Sequence, residues 1–101
     1  MMMDFKTLSD VVAYIKKIFC ISDFSYVDFF ELSNYPYGDK YEFHIDYDNE
    51  GAKFEDEWEN STKFSISIYI GEEEIAYFDV TLPKDSDSLY KGLESVYKNK
   101  I

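Results

Sequence analysis

Residues 63–82, KFSISIYIGEEEIAYFDVTL, decide the fold class. Phe64, Ile66, Ile68 and Ile70 alternate with Ser65, Ser67 and Tyr69. After Gly71 and three glutamates, Ala76, Phe78, Val80 and Leu82 alternate with Ile75, Tyr77, Asp79 and Thr81. Successive side chains on a strand leave on opposite faces, so a period of two marks a strand with one apolar and one solvated face. Two such runs, 63–70 and 74–82, joined by a short Gly-led turn, read as an antiparallel hairpin.

The same pattern extends upstream. Residues 41–48, YEFHIDYD, set Tyr41, Phe43, Ile45 and Tyr47 on one face and Glu42, His44, Asp46 and Asp48 on the other. Residues 24–33, FSYVDFFELS, are aromatic-rich and read as a further strand, closed by the turn signal Asn34-Tyr35-Pro36-Tyr37-Gly38. Helices flank the strands. Leu8, Val11, Val12, Ile15, Ile18 and Phe19 fall on one helical stripe, which predicts a helix over 8–20. Thr7 and Asp10 stand at capping-box spacing, with Asp in place of Glu. Leu89, Tyr90, Leu93, Val96 and Tyr97 form the stripe of a second helix, over 86–99, capped by Asp85 or Ser86, with Gly92 an awkward interior residue. The expected fold is α+β in the order α-β-β-β-β-α. Both helices pack on one face of a four-stranded antiparallel sheet, and 1–101 form a single domain. The long connection is 49–62.

Composition narrows the function. The chain has 101 residues, a formal charge of −11 and 20 % aromatic residues. All ten basic residues are Lys. Such aromatic content fits a packed core, not an acidic disordered tail. The lone Cys20 excludes an intramolecular disulfide and a cysteine-based zinc site, and reads as a small hydrophobe ending the helix stripe. No apolar run reaches membrane-span length, and residues 1–10 lack the pattern of a secretory leader. The expectation is a soluble cytoplasmic protein.

The charge is uneven. Residues 23–59 hold twelve acids and two lysines, net −10, and residues 72–79 hold four acids and no lysine. Both helices are close to neutral, so the sheet and its loops carry the excess. The face opposite the helices then displays Glu42, Asp46, Asp48 and Asp79 beside Tyr69 and Tyr77. Glu50, Glu55, Asp56, Glu57, Trp58 and Glu59, and then Glu72, Glu73 and Glu74, lie at its edges. Acids disperse a small protein in solution. Clustered among exposed aromatics, they also suit a basic partner, steering its approach while the rings anchor it. These residues are the candidate partner-binding set.

In this respect the chain resembles phage-encoded inhibitors of bacterial defence, notably anti-CRISPR proteins of the DNA-mimic type. The resemblance rests on Asp46 to Glu59, DYDNEGAKFEDEWE, and on Glu72-Glu73-Glu74. It implies a catalytically inert protein in a bacterial host that binds a basic nuclease. An immunity protein against a toxin nuclease would present a similar surface.

Asp46, Asp48, Glu50, Gly51 and Glu57 occupy positions 1, 3, 5, 6 and 12 of a calcium-loop pattern. Glu50 and Lys53 are atypical for that pattern, and the preceding segment alternates as a strand. His44, between Glu42 and Asp46, has no second histidine to complete a metal or acid–base site. A nucleophilic Cys20 would need a histidine beside it. Direct nucleic-acid binding conflicts with the negative charge. Trp58, within the acidic run, reads either as a cover over the sheet edge or as an interface anchor. The expectation is therefore no enzyme, no cofactor and a basic protein partner. A calcium module is one alternative. Another is an adaptor or homodimer using Val27, Phe29, Ile75 and Tyr77.

Overall fold

A computed structural model describes residues 4–20, 42–47 and 55–100. Along the chain these form α1 (Leu8–Phe19), β1 (Glu42–Tyr47), α2 (Glu55–Glu59), β2 (Lys63–Ile70), β3 (Glu73–Thr81) and α3 (Ser86–Lys100). The class is α+β, with a three-stranded antiparallel sheet in the order β1-β2-β3. The expected fourth strand, 24–33, lies outside the described residues.

The register follows the alternation. Phe43 pairs with Ile68 and Ile45 with Ile66, while Phe64 pairs with Val80 and Ile66 with Phe78. These residues form the inner face, and all but the half-buried Phe78 are buried. Ile70 and Glu73 close a two-residue hairpin. Gly71 takes its first position at φ +64°, as a type II′ turn requires, and a β-carbon is disfavoured in that backbone region. Beyond Ile68/Ala76 the register slips, and Tyr69 pairs with Glu74. Ile75 is the extra residue of a β-bulge. The slip overturns the expectation that Ile75 faces outward: it packs, half-buried, against the core.

Helices α1 and α3 lie on the same sheet face. Phe19 of α1 meets Phe43 edge-on at 5.2 Å, and Gly92 of α3 rests against Phe78. Leu8, Val11, Ile15 and Phe19 are fully buried, each side chain contributing about 1.5–3 kcal/mol relative to exposure. The capping box forms as the sequence suggests. Thr7 Oγ1 accepts from the Asp10 N–H at 3.2 Å, and Asp10 Oδ2 accepts from the Thr7 N–H at 3.3 Å. The far end differs from expectation. The helix stops at Phe19, and Cys20 is exposed in a left-handed conformation, donating its N–H to the Lys16 carbonyl. Cys20 is thus a terminator rather than a buried hydrophobe.

At the start of α3, Ser86 is buried. Its hydroxyl lies 2.7 Å from the Phe5 carbonyl and 2.8 Å from the Pro83 carbonyl. Asp85 turns its carboxylate back to the Thr81 N–H at 2.9 Å. The two helices meet along Tyr14, whose ring sits 5.4 Å from that of Tyr90 and whose hydroxyl donates to Glu94.

Candidate functional site

The outer sheet face carries the candidate site. The pairing lines up Asp46, Ser65 and Asp79 in one row across the strands, and His44, Ser67 and Tyr77 in the next. Glu42, Tyr69 and Glu74 make a third row. Neighbouring strands are about 4.8 Å apart, so the β1 and β3 backbones that carry Asp46 and Asp79 are separated by about 9–10 Å. Asp46 and Asp79 are exposed, and Tyr77 is the most exposed large hydrophobic among the described residues, at 57 %. Small serines on the central strand leave the flanking side chains standing above them. His44 is half-buried and meets Tyr69 edge-on at 5.0 Å, a diagonal cross-strand pair.

Glu72, Glu73 and Glu74 are exposed at the hairpin end of the sheet, with Glu74 across from Tyr69 on this face. At the opposite end the exposed Lys63 stands across from Thr81 in the strand register. Among the described residues, Asp46, Asp79 and Glu72–Glu74 have no ion pair, so their charges add. On the helical side the balance is different. Lys91 and Lys98 neutralise Asp87 and Glu94 of their own helix at 3.2 and 3.6 Å. Among the described residues the outer face of the sheet is therefore net negative and α1 and α3 are nearly balanced, while α2 adds its own acids beside α1.

The connection 49–62 is not simply a loop, because it contains α2. This helix of five residues has no apolar stripe, which is why periodicity missed it. Its acids at the N-terminal end suit the helix dipole, and that was the available signal. Glu55 and Asp56 lie in its first turn. Glu57 is exposed. Glu59 is half-buried and accepts from the Ser9 hydroxyl at 3.4 Å, a link to α1. The Trp58 ring packs 5.2 Å from Tyr47, half-buried over the β1 edge of the sheet. Further contacts tie α2 down: Ser61 donates its N–H to the Trp58 carbonyl at 3.1 Å, and Leu8 donates its N–H to the Ser61 carbonyl at 3.0 Å.

Asp48, Glu50 and Gly51 of the calcium-loop pattern, and Val27 and Phe29 of the dimer patch, lie outside the described residues. Of the other calcium-loop positions, Asp46 belongs to the β1–β2 ladder and Glu57 to α2. Among the described residues no three His, Cys, Asp or Glu side chains are grouped to hold a metal ion. No described helix is long and apolar enough to cross a membrane. Among the described residues, open depressions on the helical side include one lined by Phe5, Tyr14 and Lys17 and another lined by Tyr90, Glu94 and Lys98.

No protein-family model, curated protein or solved structure matches the chain.

Proposed function

We propose that the protein is a non-enzymatic inhibitor that binds a basic nucleic-acid-processing protein through its acidic, tyrosine-bearing sheet face and the adjoining α2. The partner would be a nuclease or effector whose own cleft is built for phosphates. The observation that carries this reading is the row Asp46–Ser65–Asp79 beside the exposed Tyr77. Among the described residues these two carboxylates have no ion pair, and they stand on one side of the sheet with an aromatic anchor next to them. Self-repulsion among such charges destabilises a small domain. Attraction to a cationic cleft, sharpened by aromatic contact, offsets that cost in the complex.

The test is affinity capture on the tagged protein from a bacterial lysate, washed at low and then high salt. A parallel column carries the Glu55→Lys, Asp56→Lys, Glu57→Lys, Glu59→Lys variant. Capture of a basic nucleic-acid-processing protein, released by salt and missing from the variant column, supports the proposal, because exposed charges are screened within about 10 Å at 0.1 M salt. A partner indifferent both to salt and to charge reversal overturns it.

A further inference from the structure

Among the described residues β3 is an outer strand of the sheet, with β2 on one side, and its other edge has its own chemistry. In an antiparallel pair only alternate residues exchange backbone hydrogen bonds with the neighbour. Leu82 donates its N–H to the Thr62 carbonyl at 2.7 Å, which places the even-numbered residues of β3 below the bulge in the ladder with β2. Tyr77, Asp79 and Thr81 therefore turn their backbone N–H and C=O groups away from β2. The Thr81 N–H is taken by the Asp85 carboxylate at 2.9 Å. The bulge at Ile75 ends the regular stretch at the other side. Between these limits, residues 76–80 form a short straight edge with β2 as its neighbour among the described residues. The contact of Gly92 with Phe78 holds that stretch against α3 on the inner face. Exposed sheet edges are templates for an added strand.

The occupant follows from charge. β3 carries Glu73, Glu74 and Asp79 and no lysine. A second copy pairing edge to edge would bring two such acidic strands together with no cation to offset them, and like charges on adjacent strands repel. A segment bearing Lys or Arg on alternate positions meets Asp79 and Tyr77 with complementary charge and a cation–π partner. We infer that β3 receives an extended basic segment of the partner as an added antiparallel strand, bonded to the backbone of Tyr77 and Asp79. This inference rests on the proposed function and specifies the form of the partner's contact.

The probe is a blocked octapeptide of alternating Lys and Val or Thr, titrated into the full chain and followed by amide NMR and hydrogen exchange. The expected result is perturbation centred on the Tyr77 and Asp79 amides, whose exchange slows. Asp79→Pro removes one edge N–H without touching the β2 ladder and should weaken binding about tenfold. Asp79→Asn keeps the N–H and should weaken it only about two- to threefold, in proportion to the lost charge. Exchange protection at Tyr77 and Asp79 in the unsubstituted chain decides the matter even if Asp79→Pro folds poorly. Perturbation confined to β1 or α2, equal binding by Asp79→Pro, or no binding at millimolar peptide would overturn the inference. In the capture experiment, a partner lost by the α2 lysine variant but kept by Asp79→Pro refutes the edge contact and leaves the acidic-face reading standing.

Discussion

Gly92 on α3 lies flush against the ring of Phe78 on β3: a β-carbon built on Gly92 would overlap Phe78 Cε1 and come within 3.0 Å of Cζ. The helix-interior glycine therefore sets how closely α3 approaches the sheet. Alanine would gain roughly 1 kcal/mol of helix propensity, but forcing a methyl into a packed seam costs about 1–3 kcal/mol. Gly92→Ala should lower the unfolding free energy by about 1 kcal/mol in denaturant melts. The loss should shrink or reverse when Phe78→Leu is introduced, and the double-mutant cycle reports that coupling.

Ser86 joins the start of α3 to residue 5 through its buried hydroxyl. Ser86→Ala removes the donor and leaves the Phe5 carbonyl without it. The expected loss is about 1–2 kcal/mol, read as a shift of the denaturant midpoint at constant slope.

Cys20 ends α1 at φ 57°, a region that costs a residue with a β-carbon about 1–2 kcal/mol. Cys20→Gly should raise the thermal midpoint, partly offset by the greater freedom of glycine in the unfolded chain. About 1 kcal/mol corresponds to roughly 4–8 °C for a domain of this size. A lower midpoint would show that the Cys20 side chain contributes contacts of its own.

Tyr14 holds its proton more tightly than a free tyrosine. Burial is the main cause, and the hydrogen bond to the Glu94 carboxylate adds to it. Its folded-state pKa is raised, so its contribution to stability is fully present below the unfolded value, near pH 10. Above that pH the unfolded chain releases the proton first, and stability falls as pH rises. Denaturant titrations between pH 8 and 11 should show this decline, and Tyr14→Phe should flatten it.

Asp46 and Asp79 share a row with Ser65 between them. Replacing both with Lys should leave stability within about 0.5 kcal/mol, as for exposed positions generally. The same change should slow association with the captured partner by tenfold or more at low salt. Unchanged kinetics would remove this row from the binding surface.

Helices α1 and α3 and the three strands were legible because each carries its period over most of its length. The stripe from Leu8 to Phe19 and the alternation from Phe64 to Val80 leave one way to bury their apolar sides. The outer-face candidates Asp46, Tyr69, Tyr77 and Asp79 follow from the same alternation. Ile75 broke the pattern because a bulge adds a residue, and alternation cannot reveal where it falls. Helix α2 escaped notice because five residues are too few for a stripe, and its packing depends on Tyr47 and Ser9, far away in sequence.

By itself the sequence determined the class, the inner and outer faces of β1, β2 and the part of β3 beyond its bulge, and the uneven distribution of charge along the chain, since these depend only on local period and composition. Tertiary structure alone decided that Asp46 and Asp79 share a row, that Trp58 packs beside Tyr47, and that Gly92 sets the height of α3 above the sheet. Register, bulge and helix approach are settled by contacts between residues distant in the chain, where the shape of one side chain limits the position of another.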